Sequence, residues 1–227
     1  MKKIIFISCI MIFFSACKQD KENQKDKISV QTAEIKPVKL KEEYENYRIY
    51  TPDSIGLTLK DFDVNYSHRI GNNIVAVVYD LLDNGESNNG DMDHDWGDRL
   101  LYLNNKNEII YKAKGVGDPF MYKPYFFKND KNGNIIVICQ LGYEYAYGGD
   151  VYLIKNDTIK QIGNIDLESI DPEVFMVNMV NIKESDKAIV FTFNSDSLIL
   201  KPGSEHIRIK NNNTRYEYRN NSFKLIK

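Results

Sequence analysis

Three histidines, three cysteines, six prolines and one tryptophan are all that 227 residues offer of several side chains that often mark chemistry or sharp structure. His68, His94 and His206 are scattered, and none has the pair spacing that a zinc site needs. There is no G-x-S-x-G elbow and no phosphate-binding P-loop. Carboxylates are plentiful, but nothing in their spacing selects a pair for glycoside hydrolysis. The expectation is a protein that is not an enzyme. A positive excess is also missing: 30 Lys and Arg stand against 32 Asp and Glu, so nucleic acid is not an expected partner. Helix signals are thin. The stretch "DLESIDPEV" (166–174) has room for one turn before Pro172.

The apolar run Ile4–Phe14 is too short to cross a ~30 Å bilayer as a helix. It follows Met1-Lys2-Lys3 and leads into the small residues Ser15 and Ala16, the three-part layout of a secretory signal. A cysteine stands at that edge. Phe14-Ser15-Ala16-Cys17 resembles the lipobox of bacterial lipoproteins, with Phe14 where that family usually has Leu. The resemblance implies a signal peptide over residues 1–16, cleavage before Cys17, and acylation of the Cys17 thiol (palmitate among the chains). One chain anchors only marginally, at ~0.8 kcal/mol per buried CH₂, whereas two or three hold a protein on the membrane. Lys18, rather than Asp, follows the cysteine and favours the outer membrane, on its periplasmic or its surface face. Residues 18–40 begin with ten polar or charged positions, which cannot bury a core and read as a flexible tether. The lipidated cysteine and tether thus occupy 17–40, and a single β-rich domain is expected over 41–227.

Removing Lys2 and Lys3 with the leader leaves 28 basic residues against 32 acidic ones, a net charge of −4. With Cys9 removed and Cys17 acylated, Cys139 is the one free thiol, so no disulfide can form within the chain. It lies in an apolar run and reads as a buried small residue. Fifteen tyrosines favour strands. Short β-rich runs recur in order, separated by Asn, Asp and Gly clusters. "NNIVAVVYDL" (72–81), "DRLLYLNN" (98–105), "NEIIYKA" (107–113) and "YKPYFFKN" (122–129) are echoed by "NIIVICQLG" (134–142), "DVYLIKN" (150–156), "DTIKQIG" (157–163) and "EVFMVNMVNI" (173–182). A third round starts at "KAIVFTFN" (187–194). The fold expected is all-β, an antiparallel meander of four-strand units. Such units, and the turn in "NDKNGNIIV" (129–137), resemble β-propeller blades and imply a propeller-like arrangement. The alternative is a β-sandwich.

The window "DNGESNNGDMDHDWGD" (83–98) carries six carboxylates and no Lys or Arg. Asp91, Asp93, Asp95 and Asp98 are candidate ligands for calcium, a hard cation that takes 6–8 oxygens. The run resembles the Asp-x-Asp-x-Asp loops of integrin-type propeller repeats more than an EF-hand, which would need Gly at Trp96 and Glu at Tyr102. The other reading is a solvated loop. In "GYEYAYGGD" (142–150), Tyr143, Tyr145 and Tyr147 alternate and would share one strand face. Together with Trp96 they form a candidate ligand-binding row, for stacking on sugar rings or anchoring a protein partner. The expected function is a membrane-anchored envelope lipoprotein whose β domain binds a glycan or a protein. The alternative is a periplasmic inhibitor or immunity lipoprotein acting on an envelope-degrading enzyme.

Overall fold

The computed structural model describes residues 43–82, 95–144, 146–169, 171, 174–195, 197–200, 207–210 and 214–226. The leader, Cys17, the tether, Asp91, Asp93 and Tyr145 lie outside them. The described chain is all-β, as the sequence indicates. Its strands are β1 (Glu45–Tyr50), β2 (Asp53–Ser54), β3 (Phe62–Ile70), β4 (Asn73–Asp80), β5 (Gly97–Leu103), β6 (Ile109–Lys112), β7 (Met121–Asn129), β8 (Ile135–Gly142), β9 (Ala146–Lys155), β10 (Thr158–Ile165) and β11 (Leu167–Ser169). One helical turn, α1 (Met176–Met179), precedes β12 (Val180–Glu184), β13 (Ala188–Phe193), β14 (Ser197–Leu200), β15 (Ile207–Lys210), β16 (Arg215–Arg219) and β17 (Ser222–Ile226).

Four-strand meanders exist, with two differences from the expected units. They run β3–β6 and β7–β10, one strand out of phase with the sequence echoes. They also do not form separate blades. β1 pairs with β7 on one side and β12 on the other, fusing the rest into one sheet in the order β10-β9-β8-β7-β1-β12-β13-β16-β17. That sheet curls until its first and last strands meet. The seam carries side chains rather than a backbone ladder: Phe223 packs on Gly163, where a Cβ would lie 2.2 Å from the ring, and Lys160 reaches Asn221. The result is a nearly closed barrel. A second sheet, β2-β3-β4-β5-β6, packs face to face with the β7–β9 wall as in a sandwich, and β11-β14-β15 form a third.

This arrangement explains the run in β8. Ile136 and Ile138 point into the barrel, while Ile135, Val137 and Cys139 point into the layer between the two larger sheets. A strand buried on both faces reads as a continuous apolar run. The other face of β4–β5 packs Ile74, Ala76, Val78 and Leu101 under Leu57, Leu59 and Phe62. Asparagine is frequent because the tight hairpins need positive φ. Asn156-Asp157 joins β9 to β10 and Asn220-Asn221 joins β16 to β17, each pair with both residues left-handed, as type I′ turns require.

Two local readings are corrected. The single helical turn lies after Pro172, not before it, and "LES" (167–169) is strand β11. The stretch "EVFMVNMVNI" is therefore not one strand: Met176 and Met179, three apart, bury themselves on one side of α1 before β12 begins.

The junction of β1 is held by Glu184 on β12. Its carboxylate accepts hydrogen bonds from Tyr47 (2.7 Å), Asn129 (3.1 Å), Asn132 (2.9 Å) and Asn134 (3.0 Å). Burial first, then the Glu184 charge, pushes the Tyr47 hydroxyl far above its ordinary range, so it remains a donor.

Candidate functional site

Trp96 and the tyrosines meet at one end of the inter-sheet layer. Residues 115–117 zip along 96–98, with Gly117 N–H to Trp96 O at 2.9 Å, Asp98 N–H to Gly117 O at 2.8 Å and Val116 N–H to Asp98 O at 2.8 Å. The approach needs glycine on both sides: a Cβ on Gly97 would lie 1.8 Å from the Gly117 carbonyl oxygen. Gly117 in turn lies between the Trp96 ring and the Tyr143 hydroxyl, 3.5 Å and 3.8 Å from its Cβ position. The Tyr143 hydroxyl donates to the Val116 carbonyl. Tyr143 sits in the turn after β8, not on a strand face with Tyr147, yet the two rings stack with centroids 6.3 Å apart. Phe120 lies over Gly142 at the same end and is 64% exposed. Trp96, Tyr143 and Tyr147 are thus brought together; the Tyr143 hydroxyl is bonded to Val116, while its ring stays 45% exposed.

The two described acids of the window have different roles. Asp95 accepts from the Gly115 N–H (2.6 Å) and from Arg99 Nη1 (2.9 Å), while its own carbonyl accepts from Arg99 Nη2 (2.8 Å). Arg99 is 0% exposed and also lies 3.5 Å from Asp80, whose other cationic partner is Lys112 at 2.8 Å. One buried guanidinium therefore ties the residues on either side of the acidic stretch. Burial pushes Asp80 up, but the Lys112 and Leu82 hydrogen bonds and the charges of Lys112 and Arg99 outweigh it, and its carboxyl lies below the usual range. Asp98 points the other way, into the inter-sheet layer, and is 7% exposed. Burial first, then Asp118 and Asp63, pushes it up to about 6, against the Asn65 amide that donates to it at 2.9 Å. Among the described residues no three His, Cys, Asp or Glu are placed to hold a metal ion.

Cys139 is fully buried beside Asp150 and Tyr122, and burial pushes its thiol up, so it is not a reactive thiolate. Asp150 accepts from Tyr122 (2.7 Å), Gln161 (3.0 Å) and Asn164 (3.2 Å) and forms a closed structural network.

A groove opens at another place in the fold. β1 ends its pairing with β7 at Tyr50 opposite Phe126, and the chain leaves through Thr51-Pro52 toward the five-stranded sheet. Beyond that point no described strand pairs with β7 on this side. Pro124, which would cost a ladder bond on an interior strand, is tolerated there. The departure opens a groove of about 330 Å³, at the lower end of the ~300–1,000 Å³ range of ligand pockets. Tyr50, Tyr66, His68, Tyr125 and Phe126 supply its aromatic walls, and Ile49, 68% exposed, and Val177 its aliphatic rim. His68 meets Phe126 edge to face at 5.1 Å, and the Ser54 hydroxyl lies 3.4 Å from its Nδ1. Burial holds His68 below its ordinary 6.5, with the Pro52 carbonyl acting in the opposite direction, so the ring is neutral at pH 7. The Lys123 ammonium lies 5.5 Å above the Tyr125 ring, and Lys128 lies 5.3 Å above Tyr50. Among the described residues, the hydroxyls of Tyr50, Tyr66 and Tyr125 and the Lys123 ammonium have no hydrogen-bond or ion-pair partner.

Sequence reasoning did not identify this groove, because its residues come from four separate segments, 49–54, 66–68, 123–126 and 177. The one local signal near it is Pro124, an interruption in an otherwise regular strand run. No protein-family model, no curated protein and no solved structure matches the chain.

Proposed function

We propose that the protein is a lipid-anchored envelope protein whose β domain binds a saccharide in the groove beyond the end of β1. The observation that carries this reading is a cavity walled by Tyr50, Tyr66, Tyr125 and Phe126 in which three tyrosine hydroxyls have no described partner. Aromatic faces take the apolar face of a sugar ring, and phenolic hydroxyls take its hydroxyl groups. Ser54 and neutral His68 add a polar pair at one edge. We favour this groove over Trp96, Tyr143 and Tyr147 because the Tyr143 hydroxyl is already bonded to the Val116 carbonyl and its ring stacks on Tyr147.

The ligand half is tested by titrating the full chain in detergent with a saccharide panel and following aromatic NMR resonances. Tyr66, His68 and Phe126 are expected to shift on binding. Removing one stacking ring with Tyr125→Ala is expected to weaken binding about 5–10-fold. Sugar-induced shifts clustered at Trp96 and Tyr143 instead would move the site. The anchor half rests on Phe14-Ser15-Ala16-Cys17. Cys17→Ala is expected to abolish palmitate labelling and release the protein from membranes. A variant that still labels and sediments with membranes would remove the lipoprotein reading.

A further inference from the structure

We infer that the groove selects sugars carrying a carboxylate, the uronic acid class, and that Lys123 is the residue that selects them. The inference rests on the saccharide reading above and adds a charge to it. The chain has 32 acidic residues, yet no carboxylate is among the groove's described lining residues. Its lining charge is Lys123. Lys112 pairs with Asp80 at 2.8 Å and Lys131 with Glu45 at 2.6 Å, and Lys160, over the Tyr218 ring, also reaches Asn221 at 3.1 Å. Lys123 rests on the Tyr125 ring instead, which holds its ammonium in place without neutralising it.

The ligand that complements these groups has one flat apolar face for the tyrosines, several hydroxyls for their unpartnered O–H groups, and one anionic group for Lys123. An acyl chain would leave the phenolic hydroxyls unmatched. A neutral hexose would leave the ammonium unmatched. A hexuronate answers all three. Ser54 and His68 lie in the same groove and can meet ring hydroxyls.

The test uses neutral and carboxylated sugars that differ only at C6: glucose and glucuronate, galactose and galacturonate, mannose and mannuronate. Affinity is measured calorimetrically with the full chain in detergent, at low salt and in 0.5 M NaCl. In at least one pair the uronate is expected to bind about 5–10-fold tighter, as a charge-assisted hydrogen bond at a half-exposed site would give. The preference should shrink in high salt. Lys123→Met should reduce uronate affinity to that of the neutral sugar, while Lys123→Arg should retain the preference. Equal affinities within every pair, or a preference that survives Lys123→Met, would overturn the assignment of charge selection and leave the saccharide groove standing. A panel in which no sugar shifts Tyr66, His68 or Phe126 would overturn the groove reading itself.

Discussion

Arg99→Met is expected to destabilise the protein by about 3–5 kcal/mol, the cost of removing one partner from a buried ion pair. Arg99 has no solvent exposure, and Asp80, 3.5 Å away, is almost as deeply placed. Methionine matches the stem but strands Asp80 with Lys112 alone, and it releases both the carbonyl and the carboxylate of Asp95. At ~2–4 °C per kcal/mol for a chain of this size, the melting temperature should fall by roughly 6–20 °C. Arg99→Lys keeps the charge but lacks the fork that reaches Asp95 twice, so it should recover less than half of the loss. Urea unfolding of the three proteins measures this. A loss under about 1 kcal/mol for Arg99→Met would mean that the desolvation cost of the guanidinium cancels its contacts.

The second large effect is pH-dependent and opposite in sign. Asp98 holds its proton up to about 6, against an ordinary 3.8, because it is buried and faces Asp118 and Asp63. An acid whose folded pKa is raised contributes stability that is complete below about 3.8 and is lost as the pH rises through about 6. At pH 7 the native state therefore carries an unfavourable carboxylate. Two pH units correspond to ~3 kcal/mol, and solvent screening at the loop end reduces this to about 2. Asp98→Asn keeps an oxygen to accept from Asn65 and removes the charge. It is expected to be more stable than the parent by about 2 kcal/mol at pH 7–8, with the two melting curves converging below pH 4. Melts that coincide at pH 7 as well as at pH 4 would show that Asp98 ionises as freely as an exposed carboxylate.

These two residues, one position apart, show where the sequence stopped being readable. The window 83–98 looks like a uniform block of acid, and Arg99 stands one residue past it. Nothing in the spacing says that Asp95 turns back onto that arginine while Asp98 faces the other side of the sheet. The alternation of faces along β5 decides it, and the strand begins only at Gly97. Strand content was legible because runs such as Ile135–Cys139 are too apolar and too β-branched for a surface loop. Sheet membership was not. β7 follows β6 in sequence but joins the other sheet, since pairing depends on which edge is free when the chain arrives. The four residues of α1 are too few to show a period of 3.6. Trp96 and Tyr143 could be suspected as neighbours because both flank turns. The groove could not, because Tyr50, Ser54, Tyr66, Lys123 and Val177 share no local pattern.

The position of β1 in the middle of the nine-stranded sheet has a kinetic consequence. It is the first of the described strands to be synthesised, and its ladder on the β12 side comprises two residue pairs, Glu45 with Glu184 and Asn46 with Lys183. The hydrogen bond that fastens it, Tyr47 to Glu184, spans 137 positions. Pairings this distant in sequence must pay a large loop-closure entropy before they return any contact energy, which places the fold among slow β topologies, with ~millisecond-to-second folding. Until β7 and then β12 are available, Glu45–Tyr50 keeps unpaired edges, and such edges recruit other chains. The interval between making β1 and closing it on β12 is thus the stage of this protein's life at which a chaperone has most to protect.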